Sequence, residues 1–170
     1  ADGGFYFTSA DHEVLIARTK DYFDNAVPSG NSVAALALLK LFHLTQEGEY
    51  QRLAVEILRA VRQAAVKYPN AFGYALRALD FYLSEPREIA IAGNPASHEV
   101  RAFIEEIYSR FLPNKVVAAR EPADERSGDA IKLLAARPML EAKATVYVCT
   151  NYTCLAPATS VEELAARLEG

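Results

Sequence analysis

The chain has 170 residues, about half of them apolar, enough for one sizeable core or two small ones. Its net charge of -4, with the Lys and Arg residues scattered, gives no basic field, which excludes nucleic acid as an expected partner. The longest apolar run, residues 33 to 44, is broken by Lys40 and His43 and is too short to span a bilayer. No signal-peptide pattern opens the chain, so a cytoplasmic protein with no membrane partner is expected.

The chain begins on Asp2-Gly3-Gly4, which is turn chemistry without an initiator Met, and is expected to lack a preceding portion. Phe5-Tyr6-Phe7-Thr8 is a β-prone aromatic run, and residues 14 to 19 form a second apolar run, so a loose hairpin is predicted. Continued in extended form, the second run aims Arg18 and Lys20 to one face with Ile16 and Tyr22.

Residues 24 to 32, Asp-Asn-Ala-Val-Pro-Ser-Gly-Asn-Ser, make a polar turn into the most apolar helix of the sequence. Pro28 pushes Val27 toward an extended conformation, and Gly30 permits a sharp bend. Asn31 or Ser32 can cap the helix that follows. The helix start directs unpaired amides at what precedes it, which makes Asp24, Ser29 and Asn31 candidate walls of a hydroxyl or anion site, although a plain capped helix accounts for the same residues.

Three helices are predicted next. The first, over residues 31 to 44, is apolar nearly all round and should be enclosed. The second, over 49 to 68, is amphipathic, with Leu53, Ile57, Leu58 and Val61 on one stripe and Arg52, Glu56, Arg59 and Arg62 opposite. Gly48 separates the two as an antiparallel hairpin. The third, over 69 to 84, starts with Pro69 in its first turn and should bury Phe72, Ala75, Leu76, Leu79 and Leu83 before Pro86 stops it.

After Pro86 the pattern changes, which sets a boundary between a helical region, 1–86, and a small α/β region, 87–170. Residues 88 to 92 read as a strand, Gly93-Asn94-Pro95 as a turn, Ser97 as the cap of a helix, and 115 to 119 as a second strand. This βαβ pattern predicts a parallel pair. A short helix is predicted over 130 to 136, a third strand over 145 to 149, and a closing helix over 161 to 168 with a Ser160/Glu163 capping box. The fold class is α+β, and the sheet is expected to be three-stranded and mostly parallel.

No complete catalytic constellation is present. Cys149 and Cys154 have C-x4-C spacing, unlike thioredoxin-like redox pairs, and no second Cys or His pair completes a zinc site, so no metal is expected. They read as reduced structural thiols, with a local disulfide or a redox pair as the alternatives. His12, His43 and His98 lie in unrelated segments, and His43 reads as a satisfied core histidine. Gly93-Asn94-Pro95 before a helix is a weak phosphate cradle that lacks the glycines and Lys of nucleotide loops. Asp2, Glu13 and Asp24 are near in sequence, and a pair across a cavity would suit glycoside chemistry.

The opening at 2 to 8, the turn at 24 to 32, Pro113-Asn114-Lys115, and Thr145-Val146-Tyr147-Val148-Cys149 with Cys154 and Pro157 resemble the C-terminal third of the YyaL-like, spermatogenesis-associated thioredoxin-domain family. The resemblance runs over essentially the whole chain. It implies helical hairpins belonging to an α/α toroid like those of six-hairpin glycosidases, followed by a small α/β tail. It also implies that the Asp24 turn lines the toroid cavity. The resemblance covers only that C-terminal third, so the family's thioredoxin-like domain and most of its toroid are expected to be missing, and no redox activity of that domain is carried over. Two functions are therefore expected as alternatives. One is binding of a sugar-like ligand by Asp24, Ser29 and Asn31 with Arg18 and Lys20, and the other is an interaction module. The module would pack on a second copy, as a homo-oligomer, or on the missing N-terminal part. No cofactor is expected.

Overall fold

The computed structural model describes residues 3–11, 17–121, 123–151 and 153–169. The chain divides into two compact units, one of Ala1–Phe42 with Glu47–Ser84, the other of His43–Gln46 with Glu85–Gly170. Among the described residues no helix is long and apolar enough to cross a membrane.

The first unit holds helices α1 (Gly30–Thr45, whose last turn from His43 belongs to the second unit), α2 (Gly48–Lys67) and α3 (Gly73–Leu83). Ser29, rather than Asn31 or Ser32, caps α1. Its hydroxyl accepts the Ser32 amide at 3.1 Å, the N-cap to N3 bond, and its carbonyl accepts the Val33 amide. This leaves the Asn31 carboxamide free for long-range bonds. Helix α1 buries Ala35, Leu36 and Leu39, but Val33 and Leu41 are exposed, so it is less enclosed than its composition suggests.

The predicted single helix over 69 to 84 is broken. Pro69–Ala71 forms a 3-10 turn, and α3 starts afresh at Gly73. The restart has a distant cause, because the Asp24 carboxylate accepts the amides of Tyr74 and Ala75. Two apolar stripes run along α3, and the structure buries Ala75, Ala78 and Phe81, leaving Leu76, Leu79 and Leu83 exposed. Both stripes have helical spacing, so periodicity alone did not decide between them. Phe72 is fully buried between Val61, Ala65 and Ala75, its ring 5.2 Å from that of Phe23. Among the described residues the predicted N-terminal hairpin has no strand. Its two arms share a Phe7 amide to Thr19 carbonyl bond of 2.9 Å, and residues 12 to 16 lie outside the described residues.

The second unit is a sheet of β1 (Arg87–Ala92), β2 (Lys115–Arg120), β3 (Thr145–Thr150) and β4 (Thr153–Cys154), in the order β2-β1-β3-β4. The βαβ prediction gave a parallel pair, and β1 does pair parallel with β2, Glu88 opposite Val116. The expectation of a mostly parallel sheet is corrected: β3 runs antiparallel to β1, and β4 antiparallel to β3. The reason lies in the connection. Ala92 is opposite both Arg120 and Thr145, so the segment from β2 to β3 leaves and re-enters at the same end of the strands. A parallel β3 would need the segment to cross back to the opposite end of the strands before re-entering the sheet. That segment instead forms the short helix α5 (Glu125–Ala130) and a 3-10 turn, Lys132–Leu134, which correct the predicted helix over 130 to 136.

Strand alternation sends Ile89, Ile91, Val146 and Val148 to one face, where they meet Val100, Phe103 and Ile107 of α4 (His98–Ser109) and Leu164 and Leu168 of α6 (Val161–Leu168). Ser97 caps α4 through the Val100 amide. At α6 the Ser160 hydroxyl accepts the Glu163 amide, while the Glu163 carboxylate reaches back to the Thr159 amide at 2.7 Å.

Candidate functional site

Four of the five sugar-site candidates are held by the backbone around the start of α1. Asn31, nearly fully buried, accepts the Phe5 amide at 2.6 Å and donates to the carbonyls of Phe5 (3.0 Å) and Asp21 (2.7 Å). Ser29 is buried, its hydroxyl 2.9 Å from that of Ser32. Asp24 accepts the Ser29 amide on one oxygen at 2.9 Å and the Tyr74 and Ala75 amides on the other at 2.7 and 3.0 Å. Lys20 donates to the Gly3 carbonyl at 2.9 Å, an oxygen that Tyr22 also reaches. Gly4, with φ of +85°, stands where an added Cβ would strike the Tyr22 hydroxyl and the Asn31 side chain, so the left-handed turn there needs glycine.

The fifth candidate, Arg18, donates to the Thr8 carbonyl at 2.8 Å and lies 4.3 Å from the centre of the Tyr6 ring, with the Lys20 ammonium 4.9 Å from it. Arg18 and Lys20 do turn the same way, onto Tyr6. The structure thus gathers the five candidates near the N-terminal arm and engages the polar groups of each in holding the arm and the turn. Partial burial pushes the Asp24 carboxyl up, but the amides of Ser29, Ala75 and Tyr74 and the Ser32 hydroxyl together outweigh it and hold it below the usual carboxylate range. Asp2, Glu13 and His12, the other sequence candidates near this arm, lie outside the described residues.

Two cavities have other linings. The first, about 450 Å³, is an apolar groove between α2 and α3, lined by Leu58, Val61, Val66, Leu76, Leu79 and Tyr82, with Arg59 and Arg62 also in its lining. The second, about 360 Å³, lies at the start of α4 among Asn94, Ser97, Lys143 and Thr159. There the Gly93-Asn94-Pro95 turn is closed internally, since the Asn94 side chain accepts the Ala96 amide at 2.8 Å.

In the second unit Cys149 and Cys154 are joined as a disulfide, which corrects the expectation of reduced thiols. The register explains the bridge: the two residues oppose each other across the β3–β4 hairpin, whose turn includes Asn151 with φ of 48°. A linear C-x4-C reading does not anticipate that tight reversal. One terminal nitrogen of Arg137 lies 3.2 Å from Cys149 Sγ and 3.4 Å from Cys154 Sγ. His43 Nδ1 lies 2.8 Å from Glu88 Oε1. Sequence reasoning missed Arg137 and Glu88 because their partners are 12 to 61 residues away by chain position, and only the strand register brings Glu88 opposite Cys149.

Comparison with known proteins gives the family context. Over 165 residues, 95% of this chain, it is 32% identical to spermatogenesis-associated protein 20 of Homo sapiens and of Rattus norvegicus. It is 26% identical over 167 residues to an uncharacterised protein, B0495.5, of Caenorhabditis elegans. The family likeness read from the motifs is borne out. The match falls on the C-terminal region of spermatogenesis-associated protein 20, and the chain spans about a fifth of the length of these relatives. No family model and no solved structure matches.

Proposed function

We propose that this chain is a non-catalytic interaction module whose first unit receives an amphipathic helix in the α2/α3 groove, supplied by the polypeptide that precedes the matched region in the spermatogenesis-associated protein 20 relatives. The observation that carries this reading is the groove itself. Val66 is 81% exposed, and Leu76, Leu79, Tyr82 and Leu83 turn outward from α3 beside it. Apolar surface left wet forgoes about 25 cal/mol for each Å² that a partner would cover. A contiguous patch of this kind marks an interaction surface more often than scattered single residues do. The relatives are about five times the length of this chain, so a large covalently linked partner is at hand in them. Arg59 and Arg62 in the lining suit a helix with acidic residues flanking its apolar stripe.

The test is co-purification of this chain with the preceding portion of a relative. Val66→Glu and Leu79→Glu are expected to abolish association, whereas Phe111→Glu, on a fully exposed residue of the second unit, leaves it intact. Association that survives both groove variants overturns the reading. Light scattering that shows a dimer lost in the same variants assigns the groove to a second copy instead.

One observation favours a second reading, the sugar-like ligand. Tyr6 presents an exposed ring next in the chain to Phe5, whose amide bonds Asn31, close to where Asp24 and Ser29 lie. An aromatic face and a hydroxyl-rich turn are what sugar rings use. Against it stand the cations already over that ring and the backbone partners already on Asp24 and Asn31. A thermal shift with glucose, mannose or an N-acetylated hexosamine that Tyr6→Ala removes would return the balance to this reading.

A further inference from the structure

Strand pairing places Glu88, Cys149 and Cys154 in one row across β1, β3 and β4. Directly opposed residues project from the same face of a sheet, so a carboxylate and two sulfurs share that face, opposite the one packed by α4 and α6. Arg137 reaches this row from the segment between the 3-10 turn and β3, with the same nitrogen near both sulfurs. Its other terminal nitrogen donates to the Leu133 carbonyl, which fixes the guanidinium in place. Burial pushes the Arg137 pKa down, with Glu88 and Tyr147 acting the other way, and a guanidinium remains charged throughout.

A cation beside a disulfide gains little, because bridged sulfurs are neutral and weak acceptors. Beside a thiolate it gains a charge-assisted bond. The arrangement therefore favours the reduced state of this pair over what two opposed cysteines would show without the arginine. Glu88, on the same face, acts in the opposite sense, and its carboxylate is engaged by His43 Nδ1 at 2.8 Å. A purely structural role for the bridge is weak on physical grounds, since a link that closes so short a loop constrains the unfolded chain least. The β3–β4 ladder already holds the two residues opposite each other.

The two sulfurs also differ in access. Cys154 is exposed, while Cys149 is 1% exposed. We propose that Cys149–Cys154 is a thiol–disulfide exchange site for a dithiol reductant, in which Cys154 is the sulfur attacked, Cys149 is the leaving group, and Arg137 is the positioning residue that holds the Cys149 thiolate. One thiolate of the dithiol attacks Cys154 Sγ. A mixed disulfide forms as the Cys149–Cys154 bond breaks, and the electron pair goes to Cys149 Sγ beside Arg137. The second thiolate of the dithiol then attacks its own bridged sulfur, closes the reductant's disulfide and expels Cys154 as a thiolate, which takes a proton from water. The protein gains two electrons, and the dithiol loses two electrons and two protons. In reverse, the Cys154 thiolate attacks a substrate disulfide and Cys149 resolves the mixed intermediate.

The chain is equilibrated with reduced and oxidised dithiothreitol at a series of ratios without denaturant, quenched in acid, alkylated and weighed by mass spectrometry. The native pair is expected to titrate between its two states. Arg137→Gln should displace the equilibrium toward the disulfide by about tenfold and raise the pH at which ultraviolet thiolate absorbance appears, with Arg137→Lys restoring part of both. Should Arg137→Gln fail to fold, the cysteine variants decide. Cys149→Ser should leave a Cys154 that forms a mixed disulfide with glutathione, and Cys154→Ser a Cys149 that does not react until the protein is unfolded. A pair that stays oxidised in excess dithiol until the chain unfolds overturns the proposal. So does an Arg137→Gln equilibrium equal to that of the parent chain, or a reversed order of reactivity in the two cysteine variants.

Discussion

Phe103→Ala is expected to lose about 4 kcal/mol of stability, a large fraction of the roughly 5–15 kcal/mol that a folded domain has in hand. Phe103 is 2% exposed and stands in the layer that α4 and α6 make over the sheet, among Ile89, Ile91, Ile107 and Leu164. Removing the ring forfeits its transfer energy and opens a cavity lined on one side by β-branched strand residues, whose χ1 angles have little freedom to relax into it. The control is Phe111→Ala, on a side chain 91% exposed, which should change stability by less than about 0.5 kcal/mol. Urea denaturation followed by far-ultraviolet circular dichroism reads both. Equal effects from the two substitutions would mean that this layer is not the core of the unit.

Phe103 also shows what the sequence carried plainly. Val100, Phe103 and Ile107 repeat at helical spacing behind a Ser cap, and Ile89 and Ile91 alternate along a strand, so helix, strand and buried face were all written locally. The parallel pairing of β1 and β2 followed from the helix between them. What was not legible had its cause far along the chain. The direction of β3 depends on which end of the strands the segment 121–144 returns to, and no residue in β3 itself records that. The break before α3 depends on a carboxylate 50 residues away, and the choice between its two apolar stripes on what Phe72 and Phe81 meet. At the candidate sites the same limit applied. Asp24, Ser29 and Asn31 were visible as turn chemistry, but whether such groups face a ligand or their own backbone is a matter of tertiary distance. The disulfide needed the hairpin register, and Arg137 carries no local mark beyond preceding Pro138.

Asp24→Ala is expected to cost about 2 kcal/mol, at the upper end for a helix cap, because one side chain serves two segments at once. Its first oxygen holds the Ser29 amide just before α1, and its second holds the Tyr74 and Ala75 amides that open α3. Truncation leaves three backbone donors without their acceptor, in a place half withdrawn from water. Asn at this position keeps an acceptor without the charge and should cost about half as much. The pH dependence separates the charge from the shape. Since the folded carboxyl is held below its unfolded value of about 4, the stability it contributes is fully present above that value and is lost as pH falls through the lower, folded value. The parent chain should therefore lose stability more steeply in acid than Asp24→Asn does, and the two curves should converge once the carboxyl is protonated in both states. Parallel curves, with a constant gap down to the lowest pH at which the chain stays folded, would show that the carboxylate charge contributes nothing and that Asp24 acts by shape alone.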